Sequence, residues 1–160
     1  MPTSYARYLQ ASYFYFIIMA TFYAQPTKTP HFTNVVGNIY YASQGYIQLQ
    51  WNAERIHLSD LQAFYEQALT LLDSTSCRKI LSEHGQRQPL AAAAQHWLAH
   101  EWIPRAMKQV RVEYCAIVDG SNPMHRLSTQ TVITDAPAEF VFKRFTTIGE
   151  AEAWLSSLPN

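Results

Sequence analysis

The sequence predicts an α/β fold: a single open, mixed and mostly parallel sheet of four to five strands, begun by an N-terminal β-hairpin and packed with helices. Three observations predict it. Two short apolar runs, CRKIL at 77–81 and VEYCAIV at 112–118, flank an alanine-rich stretch at 89–108 whose apolar residues recur at helical spacing. A strand, a helix and a strand in that order form one crossover between parallel neighbours. Upstream, two segments rich in β-branched and aromatic residues, 35–42 and 46–51, are separated only by Ser43, Gln44 and Gly45, a connection that suits a hairpin. The 160 residues make one domain with a sizeable core.

The chain begins with an apolar, aromatic run at 11–24, ASYFYFIIMATFYA. It is shorter than the roughly twenty residues a spanning helix needs, so no membrane span is expected. Phe22 breaks the small-residue pattern of a signal-peptide cut after Ala24. Secretion through residues 1–24 is therefore the minor expectation and a cytoplasmic location the leading one. Met19 is an alternative start, with 1–18 as an upstream extension. Residues 25–34, with Pro26 and Pro30, read as a linker, which places the α/β domain at 35–160 and leaves 1–34 outside it.

In the second hairpin strand Tyr46, Gln48 and Gln50 alternate with Ile47, Leu49 and Trp51, as expected near a sheet edge. Ser59 and Gln62 form a capping-box pattern, and Leu61, Phe64, Tyr65, Ala68, Leu71 and Leu72 follow at helical spacing, predicting a helix at 60–72. The strand at 77–81 and a polar bend at 82–88 come next. In the long helix, a step of about 100° per residue puts Ala91, Ala94, Leu98, Trp102 and Ala106 on the core face. Pro104 bends that helix or opens a second one. Beyond 112–118, Asn122 and Pro123 read as an N-cap and first helical position, although Thr129, Thr131 and Val132 weaken a helix behind them. EFVFKRF at 139–145 alternates as a last strand. Thr147 and Glu150 form another capping box, opening a helix with Ala151, Trp154, Leu155 and Leu158 inward.

Composition excludes several functions. Twelve basic and twelve acidic residues cancel, with no basic block, so the footprint of a nucleic-acid binder is missing. Near-neutral charge favours self-association, and a homodimer or another protein partner is expected. Cys77 and Cys115 have no CxxC spacing and read as buried structural thiols. Five glycines supply no dinucleotide or P-loop pattern, and no cofactor is implied.

His96 and His100 are one helical turn apart, as a metal-binding pair would be, yet they lie opposite Leu98 and Trp102 and therefore face solvent. HWLAHE also lacks the HExxH order, so no metal is expected. In open α/β sheets, ligands bind beyond the carboxyl ends of parallel strands. Here those ends carry Ser82, Glu83 and His84 after one strand and Asp119, Gly120, Ser121 and Asn122 after the next. Adjacent residues in a short bend do not face one another as a triad, and no GxSxG elbow is present. Ser82, Glu83, His84, Asp119 and Ser121 are thus candidates for binding a ligand or partner, and no catalytic residue is assigned. Trp97, on the flank of its helix's core face, is a further candidate for lining a cleft or partner surface.

With the elements placed, residues 35–158 resemble the SpoIIAA-like members of the STAS superfamily, domains related to bacterial anti-sigma-factor antagonists. The resemblance rests on the hairpin ending in Trp51, the CRKIL strand, the WLAHEWIP helix, the EYCAIV strand and FTTIGEAEAWLSSL. It implies a bacterial α/β domain working through protein contacts or small-ligand binding without catalysis. It also implies a phosphorylatable serine after a central strand. Ser82 lies near that bend, where SEHGQRQP stands in place of an Asp-Ser-Ser-Gly type sequence. The leading expectation is a non-catalytic binding or regulatory module. The alternatives are a carrier of a small apolar ligand, motivated by the aromatic excess, and a hydrolase-type enzyme using His84 with Glu83 or Asp119.

Overall fold

The computed structural model describes residues 27–159. The extension, the Met19 start and the signal-peptide reading of 1–26 lie outside the described residues. Among the described residues six strands run in chain order across one sheet: β1 (Lys28–Thr33), β2 (Gly37–Ala42), β3 (Tyr46–Trp51), β4 (Lys79–Glu83), β5 (Tyr114–Val118) and β6 (Val141–Phe145). The first two pairings are antiparallel and the remaining three parallel. The sheet is thus larger than the four to five strands expected. The added strand is β1, in the segment read as linker; Pro30 sits beside a register shift on an edge strand, the place where a sheet tolerates proline. Gly45 supplies the positive φ (+85°) that closes the β2–β3 hairpin.

Helix α1 (Leu58–Thr75) joins β3 to β4. It starts earlier than 60–72 predicts: His57 occupies the N-cap without a side-chain bond, and the Ser59–Gln62 capping box lies inside the helix. Between β4 and β5 run α2 (Ala92–Trp97), a π-helical turn (Leu98–Trp102) and α3 (Ile103–Val110). Pro104 has no N–H to bond four residues back, and the wider turn before it lets the chain continue instead of breaking. Ala94, Leu98, Trp102 and Ala106 are buried as expected. Ala91 is exposed, because it caps α2 rather than belonging to its packed face. Helix α4 (Pro123–Asp135) joins β5 to β6, and α5 (Ile148–Ser157) closes the described chain. Thr147 Oγ1 accepts from the Glu150 N–H, the predicted cap.

Because each new parallel strand adds on the same side of the last, right-handed crossovers place all three connections on one face. Ile39, Leu49, Ile80, Cys115 and Ile117 face those helices and form the main core with Leu61, Phe64, Leu98, Trp102 and Val132. The opposite face packs Leu81, Ala116 and Val118 against Ala151 and Leu155 of α5. Strands β4 and β5 lie side by side in the same direction, with Lys79 opposite Tyr114 and Glu83 opposite Val118, so both finish at one edge. Among the described residues no helix is long and apolar enough to cross a membrane.

Candidate functional site

Side chains two apart on a strand share a face, so Ser82 at the end of β4 and His84 just beyond it both turn inward under the helices. The ladder continues past β4, where the His84 N–H donates to Val118 O at 3.0 Å. A tight turn follows: the Arg87 N–H donates to His84 O at 2.8 Å, and Gly85 takes φ +51°. That turn folds Arg87 back into the protein. From the neighbouring crossover, Asn122 caps α4 by accepting from the Met124 and His125 amides. His125 therefore occupies the first turn of α4, pointing at the same place.

These residues make one continuous chain of hydrogen bonds. The indole Nε1 of Trp51 donates to Ser82 Oγ at 2.9 Å. Ser82 Oγ lies 3.0 Å from His84 Nε2, and His84 Nδ1 lies 2.8 Å from His125 Nε2. Arg87 Nε donates to His125 Nδ1 at 3.3 Å, and Arg87 Nη2 donates to Thr129 Oγ1 at 3.0 Å. The guanidinium also stands 4.6 Å from the centre of the Trp51 ring. Ser82, His84 and Arg87 are 4%, 2% and 3% exposed, and His125 is fully buried.

Arginine can only donate, and that fixes the direction of the chain. His125 Nδ1 must accept from Arg87, so the proton of neutral His125 is on Nε2 and passes to His84 Nδ1. His84 then carries its proton on Nε2 and donates it to Ser82 Oγ. Both imidazoles are held neutral. Burial, then the Arg87 charge, takes His125 down to about 4, against smaller opposing effects from the Gln88 backbone and Asp119. Burial, followed by Arg87, His125 and Arg144, lowers His84 well below the ordinary histidine range. Burial lowers Arg87 itself to about 10, which still leaves it charged at neutral pH. Among the described residues no carboxylate pairs with Arg87. A histidine that donates to a serine cannot take that serine's proton, so Ser82 and His84 do not form a nucleophile and base in this arrangement.

Ser82 also lines a cavity of about 40 Å³ below the sheet, together with Tyr65, Cys115, Phe142 and, from the π turn, Leu98 and Trp102. Burial pushes the Cys115 thiol up to about 12, keeping it protonated. Both cysteines are free and buried.

The other predicted candidates go elsewhere. Glu83 faces the opposite side of the sheet and accepts from Gln48 Nε2 at 2.8 Å. Asp119 is held by Arg144, whose Nη2 donates to Oδ1 at 2.6 Å, and neither acid hydrogen-bonds His84. Trp97 does not line an open cleft: it is 9% exposed, with its ring 6.2 Å from that of Tyr65, part of the core. Ser121 is exposed on the rim. His96 and His100 are exposed with ring centres 4.5 Å apart, and among the described residues no cluster of three metal-ligating side chains forms. Sequence reasoning missed Trp51, Arg87, His125 and Thr129. A signal for His125 existed: the Asn122-Pro123 cap places it in the first helical turn. Arg87 had none, since a charged residue in a polar bend reads as solvated.

Comparison with known protein families, with curated proteins and with solved structures returns no match to this chain.

Proposed function

We propose that this chain is a non-catalytic, STAS-like binding or regulatory module that acts through protein–protein contacts at the rim beyond β4 and β5. The observation that carries this reading is the surface of that rim. The chemistry-bearing side chains are turned in and bonded to one another. What stands outside is Gly85, Gln86, Ser121 and Asn122 beside two apolar side chains of α4, Met124 and Leu127, each 62% exposed. These two lie three residues apart on one helix face, next to His125, which ties α4 to the β4 turn. A small apolar patch within a polar rim is the composition of a protein contact.

The direction of proton donation in the His84 chain supports the absence of catalysis. The carrier reading draws only on a cavity of about 40 Å³, far below the roughly 300 Å³ at which pockets for drug-sized ligands begin. Modification at Ser82 would first require the turn to open.

Affinity capture from the cells of origin, using the parent chain and a Met124→Asp, Leu127→Asp variant, tests the reading. One protein, or a second copy of this chain, should be retained by the parent and lose at least about tenfold in retention on the variant, the scale of a 1.4 kcal/mol loss. Equal retention by both, or none by the parent, refutes it.

A further inference from the structure

Helix α1 packs against β1, β2 and β3 on the main-core face, whereas on the second face α5 packs against β4, β5 and β6. Among the described residues no helix is packed along β1, β2 and β3 on that second side. Alternation along the strands places Asn38, Tyr40 and Ala42 of β2 there, beside Tyr46, Gln48 and Gln50 of β3. A sheet face left to water keeps its side chains solvated, yet Gln48 is 2% exposed and Ala42 is fully buried. Burial of that degree requires a layer above the strands. Gln48 also carries an orphan: its Nε2 donates to Glu83 Oε2 at 2.8 Å, while among the described residues its buried Oε1 has no hydrogen-bond partner. Buried amide oxygens are ordinarily met, because leaving one unmet costs free energy.

We propose that residues 11–24 of this chain dock across the β1–β3 half of the second face, extending the layer that α5 begins, with a hydroxyl of that segment donating to Gln48 Oε1. The point of entry fits. Lys28, the first residue of β1, pairs with Ala42, and its Nζ lies 3.7 Å from Glu152 Oε1 of α5, so its side chain is on this same face. Thr27 O accepts from the Ser43 N–H at 3.1 Å, which brings the preceding chain to the β2–β3 hairpin, at one end of the uncovered area. Size fits as well. Fourteen residues in helical form span about 21 Å with a diameter of about 10 Å, and three strands of six residues present about 20 Å by 10 Å. The run is too short to span a membrane, and Phe14, Phe16, Ile17, Ile18 and Phe22 need burial elsewhere. Ser12, Tyr13, Tyr15, Thr21 and Tyr23 supply hydroxyl donors among them. Pairing of the run along the free edge of β1 would leave Gln48, two strands further in, uncovered. The proposal is independent of the rim reading, since α4 with Met124 and Leu127 belongs to the other face of the sheet.

Deleting the segment risks the fold, so the full chain carries the test. Tyr40, half-buried on this face, is replaced by a phenylalanine bearing a benzophenone, which keeps an aromatic ring at the position. An equal mixture of ¹⁴N and ¹⁵N chains is then irradiated and the adducts are mapped by mass spectrometry. The expected product joins position 40 to a peptide within 11–24 of the same isotope. Mixed-isotope adducts would assign the face to a second copy, and adducts elsewhere or none at all would leave it without this occupant; each of these overturns the proposal. Stability gives a second reading. Phe16→Asp with Ile17→Asp should lower the thermal midpoint of the full chain by at least about 4 °C, the scale of lost apolar burial at this size, and a smaller shift overturns it.

Discussion

His125 occupies a position where three effects act together: it is fully buried, it lies in the first turn of a helix whose N-terminus carries partial positive charge, and it faces the Arg87 guanidinium at 3.3 Å. Each disfavours a second ring proton. His84 is lowered by burial first and then by the Arg87 charge. The consequence for stability has a definite sign. The unfolded chain protonates its imidazoles below a pH of about 6.5, whereas folded His125 waits until about 4. Stability from these groups is therefore complete above neutral pH and declines as pH falls between those values. Each imidazole contributes a slope approaching about 1.4 kcal/mol per pH unit. Urea denaturation at pH 7.5, 6.5 and 5.5 should show that decline, and equal stability at all three would mean the pair is not held neutral. Ser82 and His84 were legible as the end of a strand. Their inward orientation was not, because the true β4 ends at Glu83 rather than at Leu81, and the whole polar bend was assigned to solvent.

Among the elements, α4 is the one whose ends decide the site. Asn122 accepts from two backbone amides of its first turn, and Asn122→Ala should cost about 1 kcal/mol. Because His125 is in that turn, the same substitution should loosen its 2.8 Å contact with His84, seen as faster exchange of the His125 ring proton. No change in either would show that the cap does not hold the turn. Cap and turn chemistry was readable in advance here and at Thr147 and Gly45, though not at α1, where the Ser59–Gln62 box lies inside the helix. Two failures share one cause: long-range packing overrode local preference. Residues 28–33 form a strand although they contain Pro30, since an edge of the sheet was free to take them. Helix α4 runs its full thirteen residues despite its threonines; Thr131 Oγ1 bonds Leu127 O and Thr129 Oγ1 bonds His125 O within the helix.

For the molecule as a whole, the two faces of the sheet are unequally covered. Three crossovers bury one face, while α5 packs on the other against β4, β5 and β6. Leu155, 1% exposed, is central to that smaller core. Leu155→Ala should cost about 2–5 kcal/mol, and a cost under about 1 kcal/mol would mean α5 is an appendage rather than part of the cooperative unit. The α/β class and the parallel β4–β5 pair were legible because apolar runs separated by a helix admit few topologies. The network beneath them was not, since it joins residues from β3, the β4 turn and α4 that lie far apart in sequence.

The strand order has a further consequence, for synthesis. Among the described residues every strand after the first pairs with the one made just before it, so a chain leaving the ribosome can extend its sheet outward without a later strand having to insert between earlier ones. The last helix reaches back to the middle of the sheet, and Leu158 just beyond it accepts from Lys79 Nζ at 2.9 Å. Nascent chains arrested before Ile148 should therefore already protect the backbone amides of β2 and β3 from exchange with solvent.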